Sequence, residues 1–397
     1  TEQQAKLDQI RLELAELENK IGLESENPLA TGERNVHKDS LKDIEERLSG
    51  TEVLLSFCLG KSKSFLWTVT GDRVNLYQLP RQDEIGKDAQ AFAGQIQSGE
   101  KSGAAGQALA NELFGQLGPD VVRKRDWLLA AEGVLLNGIP LCALPGANHT
   151  FRFLPSELLI AYPKVASSQR RFVGIGDPIY NLADSRRTGS PAPLETGATA
   201  RSLPVARLVG SDEELRSAAK ASGLPETQLL LGAGASAAKL RIALLKTPAI
   251  LHFAVHVVSP EGRPEEAALV LSLMKDNLPE LLTPEAIATL RVPGTLVILS
   301  GCSSGTGKAL PSSGLIGLSR AWLLAGASAV IVSAWPTPDD SGSFFSAFYS
   351  HFHALKSGSP AQRAAISLQQ AQLEMQRDGG YRSASSFWAA YSIVSKE

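Results

Sequence analysis

A cysteine and a histidine each follow an apolar run with the composition of a buried β-strand. Residues 295–307 read TLVILSGCSSGTG, in which a β-branched and aliphatic run leads into a glycine- and serine-rich turn that carries Cys302. Residues 250–259 read ILHFAVHVVS, and this second run ends near His256. Continuous hydrophobicity of this kind is typical of strands covered on both faces of a parallel sheet. Open α/β sheets bind ligands at the carboxyl ends of their strands, where we expect Cys302 and His256 to meet.

The two residue types together have a defined chemistry. A free thiol has a pKa of about 8.5 and is mostly protonated at neutral pH, so a neighbouring imidazole activates it by taking its proton or by stabilising the thiolate. Taken singly, each residue is more often structural. Cys302 alone is interpreted as a small buried hydrophobe, and His256 alone as a satisfied histidine at a strand end. It is the placement of both on neighbouring strand ends that favours nucleophilic catalysis.

The segments around both residues resemble the CHAT peptidases, relatives of caspases and separase that use a His/Cys dyad. The resemblance rests on HFAVH at 252–256 and on LSGCSSGTGKALPSSGLIGLSRAWLLAGASAVIVSAWPTPDD at 299–340, and it extends more weakly back to about residue 52. It implies a cysteine endopeptidase with His256 as the catalytic histidine, Cys302 as the nucleophile and His252 as a first, non-catalytic histidine. The family has Gly after the catalytic histidine. This chain has Val257, whose β-branched side chain is expected to narrow the site and to disfavour the backbone conformation that Gly allows.

Further site residues follow from this assignment. Backbone N–H groups at Val257, Gly301 and Cys302 are expected to hold the oxyanion of the reaction. Asp339 and Trp335 come at the end of another apolar run, AVIVSAW at 329–335, on the crevice side of a parallel sheet. Asp339 would then favour a basic side chain before the cut, while the alternative is a solvated or capping aspartate ahead of Ser341. The chemistry needs no metal or organic cofactor, and its substrate is a protein or peptide.

Two other functions remain open from the sequence. Residues 301–305 also spell G-x-S-x-G, the nucleophile elbow of α/β-hydrolases, with Ser303 as nucleophile and Asp339 with His351 or His353 as partners. Both histidines lie in a helical pattern at 344–356, whereas the hydrolase histidine follows a late strand, so the motif lacks its structural context. The second alternative is an inactive scaffold or interaction module with the CHAT fold, in which Val257 is the first departure from an active site.

Composition excludes several other classes of protein. The chain has 397 residues, 43% of them hydrophobic, which is enough for a large core. Its 39 basic and 41 acidic residues give a net charge of −2, so electrostatics favour neither nucleic acid nor an anionic membrane as partner. No apolar run approaches the roughly 18 residues of a membrane span. The three cysteines, Cys58, Cys142 and Cys302, are too few and scattered for a disulfide framework or metal site, which favours a reducing, cytoplasmic location.

The pattern of elements predicts three regions in an α/β protein. Residues 1–50 are a helical segment, and residues 51–165 begin with three strand-like runs of an antiparallel meander. The resemblance implies that 51–165 is a non-catalytic caspase-like half and that 166–397 is the catalytic half, a mainly parallel sheet flanked by helices. The chain begins at Thr1 and runs straight into a helix, which predicts a fragment of a longer protein. By resemblance, helical repeats of the tetratricopeptide type or an activating partner would precede it.

Overall fold

A computed structural model of the chain describes residues 41–131, 135, 139–155, 170–187, 205–259, 267–301, 312–339 and 341–396, with the backbone alone for 312–316. The chain divides into two units, residues 1–42 and 43–397, and the fold below is that of the second. Residues 1–40 of the predicted helical segment at 1–50 lie outside the described residues.

The described strands form two sheets. In chain order they are β1 (Glu52–Cys58), β2 (Ser64–Val69), β3 (Val74–Leu79), β4 (Asp126–Ala130), β5 (Thr150–Leu154), β6 (Arg171–Gly176), β7 (Glu226–Leu231), β8 (Ile250–Ala254), β9 (Val257–Val258), β10 (Ala268–Leu273), β11 (Pro279–Leu282), β12 (Leu296–Leu299), β13 (Ala329–Ser333) and β14 (Tyr391–Ser395). Eleven of them form one sheet in the order β3-β2-β1-β4-β5-β14-β13-β12-β8-β6-β7. The order of the small sheet is β11-β10-β9.

Helices connect the strands and cover the large sheet. The described α-helices are α1 (Leu41–Arg47), α2 (Gln82–Gln97), α3 (Gly103–Phe114), α4 (Pro119–Val122), α5 (Ser211–Ser222), α6 (Ala237–Ala243), α7 (Pro284–Ala288), α8 (Ser312–Leu324), α9 (Gly342–Ala354), α10 (Pro360–Arg377) and α11 (Ser385–Trp388). Side chains cap the starts of two helices: the Ser236 hydroxyl accepts from the Lys239 N–H ahead of α6, and the Thr283 hydroxyl accepts from the Ala286 N–H ahead of α7. None of the described helices is long and apolar enough to cross a membrane.

The large sheet is mainly parallel, with antiparallel pairs at defined places. Strands β13, β12, β8, β6 and β7 run parallel to one another, as do β5, β4 and β1. The predicted meander is confirmed, because β1 and β2 pair antiparallel, as do β2 and β3. The last strand, β14, is antiparallel to β13 and parallel to β5.

Alternate residues of the central strands point into two separate hydrophobic layers. In β12, Leu296 and Ile298 pack with the first layer, while Val297 and Leu299 pack with the second. The first layer includes phenylalanines of α2 and α9, such as Phe92 and Phe345, and the second includes Trp322 of α8. Because side chains alternate across a strand, a sheet covered on both faces needs apolar residues at every position, which explains the continuous runs in the sequence.

The sheet passes without interruption through both predicted halves. Strands β1 to β5 come from residues 51–165 and the rest from 166–397, and the C-terminal strand β14 closes the gap between β5 and β13. The predicted boundary near residue 165 lies outside the described residues. The predicted strand at 250–259 is divided in the structure: β8 ends at Ala254, and Val257–Val258 form β9 of the small sheet.

Candidate active site

Parallel strands bring Gly301, His256 and Asp339 to the carboxyl side of the large sheet. The strand β12, which leads to Gly301, lies between β8, which leads to His256, and β13, which leads to Asp339. Their carboxyl ends are level, since Leu299 is paired with Phe253 and Ile298 with Ile331. Cys302 and Ser303 lie outside the described residues.

Gly301 is in backbone contact with the residue that precedes His256. A Cβ atom at position 301 would lie 2.3 Å from the Val255 carbonyl oxygen and 3.0 Å from the Val255 amide nitrogen. No side chain fits in that space, so the close approach of the two backbone segments requires glycine at position 301. The residue before the predicted nucleophile therefore touches the residue before the predicted catalytic histidine.

His256 is 1% exposed, and its backbone and ring are both held. Its N–H donates to the Tyr180 hydroxyl at 3.1 Å, and its carbonyl accepts from the Val270 N–H at 2.9 Å. The ring nitrogen Nε2 lies 2.6 Å from the Ala206 carbonyl oxygen. A carbonyl can only accept, so Nε2 carries the proton, and in the neutral ring Nδ1 is then the basic nitrogen. This is the tautomer that a general base acting through Nδ1 requires.

A short stretch, residues 205–210, runs across the carboxyl edge of the sheet; we call it the crossing segment. Besides the Ala206 contact with His256, the Arg207 guanidinium donates to both carboxylate oxygens of Asp177, at 2.8 and 2.9 Å. At its far end, the Gly210 N–H donates to Asp339 at 2.7 Å, and a Cβ at Gly210 would lie only 1.9 Å from the Asp339 carbonyl oxygen. The crossing segment thus contacts residues that follow β6, β8 and β13.

Asp177 is the charged centre beside the crossing segment. It is 4% exposed, directly follows β6 and has a φ of 45°, in the left-handed region. Arg186 also pairs with its carboxylate and donates to the Asp177 carbonyl oxygen at 3.2 Å. The same guanidinium holds Asp184, where hydrogen bonding by Arg186 lowers the pKa to about 2.

Val257 has an ordinary backbone and a side chain turned into the protein. Its side chain is fully buried in the second hydrophobic layer with Leu269, and among the described residues a positive φ outside glycine occurs only at Asp177 and Asn277. The valine side chain therefore lies in the core and not across the crevice, and its backbone does not use the left-handed region open to glycine.

The register of β9 determines the direction of the Val257 N–H. Because the Val270 N–H donates to the His256 carbonyl, Val257 and the opposite Leu269 form a non-hydrogen-bonded pair, and the backbone groups of Val257 point away from β10. Since β9 is an outer strand in the described order of its sheet, this N–H faces the outer edge.

The two predicted pocket residues have different surroundings. Asp339 is exposed, and its described hydrogen bond is with the start of α5 through Gly210. Desolvation raises the pKa of the Asp339 carboxyl, a shift that the Gly210 N–H and the charge of His256 oppose. Trp335 is buried in the first hydrophobic layer, and its indole N–H donates to the Ser386 carbonyl at 2.8 Å. The described contacts of Trp335 are with the core and not with His256.

Glu214 is a buried carboxylate that the sequence analysis did not identify. It lies on α5 and contacts residues of β8, of the end of β12 and of the start of α9. It accepts hydrogen bonds from Ser300, at the end of β12, and from Ser341, at the start of α9. Its Oε1 lies 3.0 Å from His252 Nε2, off the line of a hydrogen bond. His252 is fully buried, and its Nδ1 lies 3.0 Å from the Tyr349 hydroxyl. The first histidine of HFAVH therefore belongs to the core.

The histidines of the serine-hydrolase alternative contact other helices. His351 Nε2 lies 2.9 Å from Glu374 on α10, and His353 Nδ1 lies 3.1 Å from the Ser222 carbonyl at the end of α5. Among the described residues, no group of three or more histidine, cysteine or acidic side chains has the arrangement of a metal site.

Three residues of the site were missed from the sequence: Ala206, Tyr180 and Glu214. Ala206 acts through its carbonyl, which every residue type carries, so no sequence signal marks it. Tyr180 follows the strand end GDP by two positions and was open to prediction as a residue of the crevice edge. Glu214 resembles any acidic residue in the first turn of a helix, where the helix dipole favours it.

Comparison with known structures places this architecture in the caspase-like class. The yeast separase–securin complex (Saccharomyces cerevisiae) aligns with a TM-score of 0.51 at 11% identity, over 89% of this chain and 30% of that chain. At this identity the likeness concerns the fold alone. The fold is accordingly a mainly parallel, caspase-like α/β sheet flanked by helices.

The family follows from the sequence match. The family model described as CHAT domain matches residues 103–396, and the chain therefore belongs to the CHAT-domain family. Tetratricopeptide repeat protein 28 from Homo sapiens is 26% identical over 321 residues, 72% of this chain and 12% of that protein. The Mus musculus protein of the same name is 33% identical over 118 residues, 30% of this chain and 4% of that protein. The chain thus spans a small part of these relatives.

Proposed function

We propose that this chain is a cysteine endopeptidase that acts through His256 and Cys302. The observation that carries the proposal is the backbone contact between Gly301 and Val255, each one residue before a member of the dyad. Covalent geometry keeps consecutive Cα atoms 3.8 Å apart, so this contact limits how far the dyad residues can separate. The hydrogen bond from His256 Nε2 to the Ala206 carbonyl gives further support, because it leaves Nδ1 as the basic nitrogen that can accept the thiol proton.

The proposed reaction has two stages. His256 Nδ1 accepts the proton of the Cys302 thiol, and the sulfur attacks the carbonyl carbon of the scissile peptide bond. The oxyanion accepts hydrogen bonds from backbone N–H groups at Val257, Gly301 and Cys302. As the carbon–nitrogen bond breaks, the imidazolium gives its proton to the leaving amine and a thioester remains. Water, deprotonated by the same imidazole, attacks the thioester, releases the acid and restores the thiol.

The proposed substrate is a protein with a basic residue before the cut, recognised by Asp339. Support comes from the position of Asp339 beyond β13, one strand away from β12, and from the electrostatic coupling of its carboxyl to His256. We further propose that helical repeats or a partner protein control access to the site. The relatives carry the name tetratricopeptide repeat protein, and this chain matches only a small part of them.

The proposal is tested by active-site labelling with a library of peptide acyloxymethyl ketones, read by intact-protein and peptide mass spectrometry. The wild-type protein should be modified once, at Cys302, and His256→Ala should abolish this modification. A Cys58→Ser background removes the exposed thiol from the assay. Burial raises the pKa of the Cys142 thiol to about 12, so Cys142 stays protonated and unreactive at pH 7.5 and reports any unfolding.

The same experiment separates the alternatives. A serine hydrolase would survive Cys302→Ala and lose activity in Ser303→Ala, the reverse of our expectation. A scaffold would show no probe-dependent labelling of Cys302 and no cleavage of library peptides, with or without cell extract added as a source of activating partner. Either result contradicts the proposed function.

A further inference from the structure

The orientation of His256 depends on a carbonyl in the crossing segment. Ala206 lies beside Arg207 in the chain, and the Arg207 guanidinium is held by two parallel hydrogen bonds to the buried carboxylate of Asp177. A bidentate arginine–carboxylate pair fixes direction as well as distance, because both groups are planar. This pair limits the positions that the peptide unit between Ala206 and Arg207 can take relative to β6, and the Ala206 carbonyl oxygen lies 2.6 Å from His256 Nε2.

The burial of Asp177 stabilises its ion pair with Arg207. Its buried carboxylate is paired with Arg186 as well as Arg207, and losing one of these partners carries a desolvation cost that favours keeping both. Asp177 is itself tied at the end of β6, where its N–H donates to Ser211 Oγ at 2.9 Å. The connection from the sheet to the imidazole thus runs from Asp177 through Arg207 to the Ala206 carbonyl.

We propose that Arg207, anchored on Asp177, is a positioning residue that keeps the Ala206 carbonyl on His256 Nε2 and so holds the imidazole in the reactive tautomer and orientation. This inference rests on the proposed function, since it assigns a role within the same dyad. Arg207 is 43% exposed as a side chain and has no described contact with His256 itself, so its effect passes through the backbone.

Arg186 supplies a matched control. It pairs with the same carboxylate of Asp177 and has the same charge, but it lies outside the crossing segment and its backbone is not adjacent to Ala206. Replacing Arg186 by glutamine removes one positive charge beside Asp177 and leaves the Arg207–Ala206 connection in place. A purely electrostatic role for the arginines predicts equal effects of the two substitutions, and a positioning role predicts unequal effects.

The test compares Arg207→Gln, Arg207→Lys and Arg186→Gln in the full chain with a Cys58→Ser background. The measurements are kcat and KM on the best library peptide and the rate constant of Cys302 alkylation by iodoacetamide, a probe too small to need a substrate pocket. We expect Arg207→Gln to lower kcat by about 10- to 100-fold with KM nearly unchanged, since small misplacements of a catalytic group have effects of this size. Arg207→Lys should recover part of kcat, because lysine keeps the charge without the planar fork. Arg186→Gln should stay within about twofold of the parent.

A double variant makes the test specific to His256. In a His256→Ala background, Arg207→Gln should cause no further loss in the alkylation rate, because residues that act as a unit are not additive. Equal losses in Arg207→Gln and Arg186→Gln, a raised KM with unchanged kcat, or a full additional loss in the double variant would each overturn the inference. If Arg207→Gln does not fold, Arg207→Lys against Arg186→Lys gives the same comparison. An alkylation rate that His256→Ala itself leaves unchanged would instead refute the proposed function.

Discussion

At the scale of single residues, Gly301 is a position where the structure leaves no room for a side chain. Its approach to Val255 leaves no space for a methyl group, and backbone atoms cannot move aside as a flexible side chain can. The contact joins β12 to β8 at the point where both lead into the site. Any substitution at Gly301 must therefore separate the two strand ends or strain them.

We predict that Gly301→Ala lowers both stability and labelling of Cys302. Overpacking of this kind costs about 1–3 kcal/mol of the free energy of unfolding, which urea denaturation measures directly. Gly234→Ala is the control, because no atom lies within 4 Å of a Cβ built there and its φ is not in the left-handed region. Unchanged labelling and stability in Gly301→Ala would contradict the close backbone contact between Gly301 and Val255.

Asp339 allows a second prediction at this scale, on specificity. Asp339→Asn keeps the size of the side chain and an oxygen for the Gly210 N–H, but removes the negative charge. We expect the ratio of kcat/KM for peptides with arginine against norleucine before the cut to fall about tenfold, since the ion pair between Asp339 and the arginine side chain is lost. The wild-type enzyme measured on both peptides is the reference. An unchanged ratio would mean that Asp339 does not contribute to specificity and only accepts the hydrogen bond from Gly210 at the start of α5.

At the scale of elements, the buried Glu214 carboxylate joins α5, β8, β12 and α9. Its partners Ser300 and Ser341 lie at the end of β12 and the start of α9, so their hydroxyls anchor the elements on either side of the site. Charged groups make hydrogen bonds roughly twice as strong as neutral pairs, and removing one partner leaves the others unsatisfied in the core. The end of β12, which leads to Gly301, is therefore hydrogen-bonded to α5, a helix far away in the sequence.

We predict that Glu214→Ala lowers the free energy of unfolding by about 3 kcal/mol, because the hydroxyls of Ser300 and Ser341 lose a charged acceptor and the buried His252 ring loses the carboxylate beside it. Glu213→Ala is the matched control, an exposed glutamate one position away on the same helix. Urea unfolding followed by circular dichroism gives both values. Equal effects of the two substitutions would show that the Glu214 contacts do not stabilise the fold.

At the scale of the whole molecule, the last strand joins two distant parts of the chain. Ile393 of β14 is fully buried and pairs with Ile331 of β13, while Val394 pairs with Phe153 of β5. The strands of residues 51–165 and those of 166–397 therefore share one set of backbone hydrogen bonds. A boundary between two caspase-like halves near residue 165 remains a prediction from the resemblance.

We predict that the shared sheet unfolds as one cooperative unit. In native-state hydrogen exchange at increasing urea, amides of β4 and β12 should converge on the same opening free energy, because β14 is hydrogen-bonded to β5 on one side and to β13 on the other and so joins the two parts of the sheet. Peptide-level mass spectrometry resolves the two strands. A lower opening free energy for β4 alone would contradict this and would favour two independently stable halves.

Much of the local structure is determined by the sequence itself. The meander β1 to β3, the strand ahead of Gly301 and the helix around Phe344 to Phe352 are confirmed. These elements share a clear apolar periodicity or a continuous apolar run, bounded by glycine, proline or capping residues. Such signals lie within a few residues of one another, which is why they can be identified without knowledge of distant contacts.

Tertiary structure decided what depends on residues far apart in the chain. The strands β5, β7 and β14 were not predicted, because β7 is a half-exposed edge strand and β14 is stabilised by partners more than 60 and 200 residues away, Ile331 and Phe153. The break between β8 and β9 arises because His256 pairs with Val270 of the small sheet and leaves the large one. The hydrogen bonds of His256 with the Ala206 carbonyl and of Ser300 with Glu214 likewise join residues far apart in the sequence. A carbonyl or a glutamate acquires these roles only from its position in the folded chain, so no local pattern in the sequence can contain them.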